Sequence, residues 1–235
     1  MATLLSMCRD AADLIGIQRP VGIMAGGDQT ARTLLSCATR EGRALSRRWT
    51  WQALTQIRTF ISVAAEAQPG AIPADCNRIL PDTFFNRTMK RPVRGPLNAR
   101  EWEVQKALTA AVLFDAFRVR DDALDMIPTP GAGWTYAFEY VSTNWCESAG
   151  GAGQDSWLAD TDVPLLDPEA FTLGIIWRYL QSRGLDYAEA MRSYEIEVTN
   201  LTARDGARRA VDLTGTLRAG MGARYPIVPE GSWSI

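Results

Sequence analysis

The groups able to do chemistry in this chain are carboxylates, because its 235 residues include no histidine. That removes histidine-dependent triads, histidine-ligated metals and histidine general bases together. Lysine is also scarce, with Lys90 and Lys106 alone. Arginine supplies most of the positive charge, which suits fixed ion pairs better than proton transfer. Asp155, Asp160 and Asp162, with Asp167, form an acidic cluster. Calcium takes several oxygen ligands, but the EF-hand spacing, its glycine and its closing glutamate are missing. A solvated loop, or ion pairs with the arginines of a neighbour, is the plainer reading. Asp75 and Asp82 are the remaining carboxylates a small enzyme could use. Cys8, Cys37, Cys76 and Cys146 are far apart and form no CxxC pair, so they read as buried reduced thiols, with neither zinc nor redox chemistry. Gly150-Gly151-Ala152-Gly153 lacks the Lys-Ser/Thr of a phosphate cradle and opens no helix, so it reads as a flexible loop able to reach an adjoining subunit. No catalytic, cofactor or metal residue is expected.

Binding residues are the next class. Lys90, Arg91 and Arg94 are candidates to face passing DNA or the acidic surface of a partner. Arg47-Arg48 beside Trp49 and Trp51 resembles a basic-aromatic nucleic-acid patch. Helical spacing, however, places Trp49 on an apolar stripe, so packing is expected instead. Trp145, Trp157 and Trp177 with Tyr179 are expected as core or interface anchors. Arg178, within an apolar helix, calls for an ionic partner. The net charge of −2 argues against a general nucleic-acid binder. The chain has no apolar run of the roughly 20 residues that a membrane span needs. Met1 to Asp10 lacks the pattern of a signal peptide, so assembly in the cytoplasm is expected.

The elements that must position these groups are readable from periodicity. A composition 46% hydrophobic and 22% charged suits one domain, or one domain with an inserted subdomain. Thr3 to Ile15 has helical spacing, and Gly16 and Pro20 end it. Asp28 is placed to cap a second helix running to about Arg48 on the stripe Ala31, Leu34, Leu35, Ala38, Leu45 and Trp49, with Arg40, Glu41 and Arg43 largely off it. Thr55 to Val63 then shifts to period two, with Ile57, Thr59, Ile61 and Val63 on one parity. Short extended pieces follow around Leu80, Phe84-Phe85 and Arg91-Pro92-Val93, and Pro92 confines its piece to an edge. Asn98 and Glu101 form a capping-box pattern for a helix through Ala107. A hairpin is expected around Arg120-Asp121-Asp122, and Thr135 to Val141 is the cleanest strand. Cys146 to Pro164 reads as a loop. Asp167 and Pro168 open a central helix that Gly184 stops. Asp186 and Glu189 suggest a second capping box for a helix from Tyr187 to about Ala203.

The reading is an α+β fold. A mainly helical bundle of about four helices, residues 1–54 and 165–206, carries a β-rich insertion, residues 55–164, and an extended C-terminal arm, residues 207–235. Residues 207–235 hold repeated glycines and prolines with isolated apolar residues. An arm that orders against another subunit is expected, anchored by Val211, Leu213, Tyr225, Ile227, Val228 and Trp233.

Several segments in order resemble head-to-tail adaptor proteins of short-tailed phages. They are Thr3-Leu4-Leu5 through Ala12-Asp13, Glu41-Gly42-Arg43 with Trp49-Thr50-Trp51-Gln52-Ala53-Leu54, and Arg78-Ile79-Leu80 with Asn86-Arg87-Thr88. Arg91-Pro92-Val93 with Gly95-Pro96-Leu97, and Phe138-Glu139-Tyr140 with Asn144-Trp145, continue the series. Leu173 to Arg178 and Gly184 to Ala188 complete it. The tail tubular protein A group is a more distant resemblance. The resemblance implies a virion structural protein without catalytic residues. It would form a homo-oligomeric ring, usually a dodecamer, docked beneath the portal protein at the capsid–tail junction. Such a ring meets a tail or nozzle protein and leaves a lumen for double-stranded DNA, without sequence-specific binding. It also implies a C-terminal arm reaching a neighbour or the portal. The alternatives are a tail-completion or stopper ring that binds the tail, and a small carboxylate-dependent enzyme.

Overall fold

A computed structural model describes residues 2–25, 27–107, 115–121 and 123–206. The fold is mixed α+β, with five α-helices and antiparallel sheets among these residues. The helices are α1 (Leu4–Ile15), α2 (Gln29–Arg48), α3 (Ala99–Ala107), α4 (Pro168–Ser182) and α5 (Ala188–Arg204). Thr3 caps α1: its hydroxyl accepts from the Ser6 amide at 3.3 Å while its own amide donates to the Ser6 hydroxyl at 2.8 Å. Gly16 closes the helix in the left-handed region at φ 80°. Asp167 caps α4 through the Glu169 and Ala170 amides, with Pro168 in the first turn, where its missing amide costs nothing. Asn98 and Glu101 form the reciprocal box ahead of α3, each bond 2.9 Å long.

Two expected caps differ. Asp28 precedes α2 but its side chain makes no cap bond. Asp186 accepts from the Ala188 amide without the returning bond from Glu189, and α5 begins at Ala188.

The strands are β1 (Thr55–Ile61), β2 (Ala67–Gln68), β3 (Cys76–Ile79), β4 (Phe85–Asn86), β5 (Arg91–Pro92), β6 (Ala116–Arg120), β7 (Ala123–Ile127), β8 (Thr135–Ser142), β9 (Cys146–Glu147), β10 (Gly153–Gln154) and β11 (Val163–Pro164). β8 is the axis of the main sheet. β1 lies along one side of it, and β3 and β4 share the other, with β5 beyond β4. A second sheet has the order β2-β7-β6, its hairpin turning at Asp121 with φ 50°. Cys146 to Pro164, expected as loop, contains the third sheet, β10-β9-β11, built from two-residue strands too short for a periodic signal.

Apolar burial produces two cores. α4 packs against α1, α2 and α5, and the first core joins their facing sides to Trp145 and Trp157. Trp145 stacks on Phe171 at 6.0 Å between ring centroids and meets Trp157 edge-on at 4.9 Å. The second core lies on the inner face of the main sheet. Phe60, Phe84, Phe117, Tyr136 and Phe138 pack there, with Phe84 and Phe117 edge to face at 4.8 Å. Such aromatic pairs each contribute about 0.5–1.5 kcal/mol beyond their buried area.

Two positions on α2 differ from the expected stripe. Trp49 is exposed and Trp51 is buried in its place, its indole N–H donating to the Leu45 carbonyl at 2.7 Å. Trp49 ends the helix in an extended conformation, so the helical period no longer applies there. Glu41, expected largely off the stripe, is fully buried among Leu34, Cys37, Ala38 and Leu45.

Candidate interaction surface

The outward face of the main sheet exposes apolar side chains. β1 pairs with β8 in a register that sets Ile57 opposite Glu139, Thr59 opposite Ala137 and Ile61 opposite Thr135. The Ser62 amide donates to the Trp134 carbonyl at 2.8 Å. In an antiparallel ladder this makes the even residues of β1 the ones bonded to β8. The backbone groups of Ile57, Thr59 and Ile61 therefore point to the opposite edge. Their side chains point outward, and Ile57 and Ile61 are 64% and 71% exposed. Phe60, of the other parity, is buried. Phe85 of β4 lies opposite Ala137 on the same outward face and is also exposed. Among the described residues β1 has β8 as its one neighbouring strand, so this apolar face ends in an open edge.

A shallow depression of about 580 Å³ lies on this face, lined by Ile57, Phe85 and Ala137 together with Asp82, Arg87, Lys90 and Glu139. Lys90 thus stands on the candidate surface. Arg91 and Arg94 do not join it. Arg91 pairs in β5 with Asn86, whose side chain is buried, and its charge acts on Tyr136. Arg94 lines a separate depression with Leu97, Arg100 and Glu101. The three basic residues therefore form no single stripe, because the β4–β5 turn and the strand after it send them to different sides.

The carboxylates are held by their own backbone and hydroxyl neighbours. Asp160 accepts from the Ile23 and Met24 amides, at 3.1 and 2.8 Å. Asp162 accepts from the Leu158 and Ala159 amides, at 2.7 and 2.8 Å. Asp160 and Asp162 thus bond N–H groups of their own chain, while Asp155 of the same loop is exposed. Asp75 accepts from the Ser142 hydroxyl at 2.7 Å and the Tyr140 hydroxyl at 3.2 Å. Burial first, then the charge of Asp75, pushes the Tyr140 hydroxyl up to about 12. A fourth acid, buried Asp115, accepts from the Asn86 side-chain amide and the Tyr136 hydroxyl, both at 3.0 Å. Asp75 and Asp82 are not brought together: Asp75 serves this hydroxyl network, and Asp82 lines the outer depression. Among the described residues no three cysteine, aspartate or glutamate side chains cluster so as to hold a metal ion. Nor is any helix among them long and apolar enough to cross a membrane.

The chain matches no protein-family model, and no curated protein matches it.

Sequence reasoning missed the surface at Ile57 and Ile61. The period-two run was visible, but not which parity faces outward. The signal lay in the partner strand: Tyr136, Phe138 and Tyr140 define the buried side of β8, and pairing transfers that choice to Phe60 of β1. The six anchors expected in the arm, Val211, Leu213, Tyr225, Ile227, Val228 and Trp233, lie outside the described residues.

Proposed function

We propose that the protein is a virion structural protein, a head-to-tail adaptor that forms a ring on the portal and leaves a channel for the genome. The observation that supports this best is the outward face of β1, β8 and β4. Ile57, Ile61 and Phe85 stand exposed together beside an open strand edge. Contiguous exposed apolar surface with a polar rim marks an interaction site. A ring protomer needs such a face, because a head-to-tail contact buries different patches on its two sides.

The order of elements fits the same reading. Two helices, a β-rich stretch with one helix, and two helices follow one another. The four outer helices act as the rigid bundle of the protomer, the β-rich part presents the contact face, and the C-terminal arm reaches a neighbour or the portal. Of the acids that a carboxylate-dependent enzyme would use, Asp75, Asp160 and Asp162 accept from hydroxyls and backbone amides of their own chain. No catalytic step is assigned.

The test is direct. The purified full-length chain is mixed with isolated portal rings and viewed by electron microscopy. Added ring density beneath the portal is expected. A protein that ignores portal but binds isolated tails is a tail-completion ring instead, and one that binds neither ends the proposal.

A further inference from the structure

We propose that α2 and the Trp49 that follows it form a binding surface for single-stranded nucleic acid. The first observation is the charge on the exposed side of the helix. Arg32, Arg40, Arg43 and Arg47 are exposed, and no exposed position of α2 is acidic. At 3.6 residues per turn these four fall within about 80° of one another, along about 22 Å of helix. Glu41, the one acid of α2, is buried and paired with Arg178. Arg48 is held by Glu195 of α5, but none of the four stripe arginines makes an ion pair among the described residues, Arg32 with Asp28 one turn before it included. Like charges three and four residues apart repel, so Arg40, Arg43 and Arg47 strain the helix in a way that a bound polyanion relieves.

The charge continues onto α4. Burial raises the Cys37 thiol, and the charges of Arg178, Arg40 and Arg183 draw it back down, so exposed Arg183 stands across Cys37 from Arg40. In a chain of net charge −2, positive charge is thus concentrated on one side of the helical part.

The second observation is Trp49 itself, which helical spacing assigns to the core. It is 46% exposed, two residues beyond Arg47, while Trp51 is buried and bonded to Leu45. The basic-aromatic run therefore splits into one packing tryptophan and one presented to solvent beside the arginines. Arginine takes phosphate oxygens in pairs, and an exposed indole offers an unpaired base a face to stack on. A duplex, with its bases already stacked, leaves Trp49 unused. A protein partner is a poorer match, because an interface core needs apolar surface and the exposed positions between the arginines are Ser36 and Ala44.

The test uses the isolated full-length chain and no portal, so it stands or falls apart from the adaptor reading. Binding of a labelled oligothymidylate of about 15 nucleotides is followed by fluorescence anisotropy from about 50 mM salt upward. Saturable binding is expected. Each phosphate contact on a single strand contributes about 0.7 to the slope of log K against log salt, so Arg40→Gln, Arg43→Gln and Arg47→Gln together should reduce that slope by about 2. Trp49→Ala should weaken binding about tenfold and Trp49→Phe should restore most of it, while binding of a duplex of the same length responds to neither. Arg94→Gln with Arg100→Gln, on the separate depression, should leave binding unchanged. No binding of the oligothymidylate, a slope that the triple variant leaves as it was, or equal effects of Trp49→Ala on single strand and duplex overturns the proposal. A polyglutamate peptide that displaces the oligothymidylate at equal charge concentration also overturns it, in favour of an acidic protein partner.

Discussion

The Arg178 guanidinium of α4 donates to the Glu41 carboxylate of α2 at 2.7 Å, in a core where Glu41 has no exposed surface. The pair lies where α4 crosses α2, and Gly174 makes room for it: a Cβ there would collide with the Glu41 carboxyl. Tyr194 of α5 stands close enough that, after burial itself, the Glu41 charge raises its hydroxyl pKa. A charge taken from water is tolerated here because its partner is fixed by packing from three helices.

Removing one partner should therefore cost far more than removing both. Glu41→Ala leaves Arg178 unpaired and is expected to destabilise by roughly 3–5 kcal/mol, whereas Glu41→Leu with Arg178→Met should cost much less. Gly174→Ala should also destabilise, by about 1–3 kcal/mol, through overpacking against Glu41. Urea unfolding midpoints at constant m-value measure all three. A double variant no better than the single one would mean that the pair is not the coupled unit described.

Much of this arrangement was legible in advance, and its failures have physical causes. Caps and breakers placed α3, α4 and the end of α1, because Asn98, Asp167, Gly16 and Gly184 act locally, whereas Thr3, read as the first helical residue, is the cap of α1. The need of Arg178 for a partner followed from its apolar surroundings, but Glu41 as that partner did not. Its spacing from Leu34, Cys37, Ala38 and Leu45 puts it on the stripe, yet a charged residue is ordinarily assigned to solvent. Tertiary pairing outranked the local rule. The sheet faces failed for a related reason. The outward Ile57 and Ile61 reverse the usual pattern, and only the partner strand β8 fixes the direction. The strands β9 to β11 are defined by pairing alone, and two residues hold no period.

Buried thiols make stability depend on alkaline pH. Burial, with lesser contributions from nearby acids, pushes both Cys8 and Cys146 up to about 12, against an ordinary value of 9.0. Above pH 9 the unfolded chain releases these protons and the folded one keeps them. Stability contributed by the neutral thiols is thus complete below about pH 9 and falls as the pH rises toward 12. Urea midpoints at pH 8 and pH 10 should show the fall, and Cys8→Ala should lessen it relative to its own value at pH 8. A thiol reagent at pH 8 should label half-buried Cys76 well before Cys8 or Cys146. Equal labelling of all three in the folded protein would contradict this.

Asp160 secures the segment between α1 and α2. Its carboxylate accepts from the Ile23 and Met24 amides, and Ile23 is buried in the helical core. Asp160→Ala leaves those donors without their acceptor, at a cost of about 1–3 kcal/mol. Faster amide exchange at Ile23 and Met24, with little change at Phe171 or Ile175, is expected. Uniformly faster exchange would show that the bond supports the whole core and not this segment.

The outward sheet face separates folding from assembly. Ile57 and Ile61 bury little against their own chain, so Ile57→Lys with Ile61→Lys should change unfolding free energy by no more than about 0.5 kcal/mol per site. Lysine beside an open edge also opposes strand pairing with other molecules. If this face makes the ring contact, the double variant stays folded, with an unchanged unfolding midpoint, but forms no rings and adds no density beneath the portal. Phe171→Ala, cut from the helical core, provides the contrast: it should lower the unfolding free energy by about 3–5 kcal/mol through a cavity, while any molecules still folded keep the contact face. Rings formed by the lysine variant at the concentrations that suffice for the native chain would move the contact to another face of the protomer.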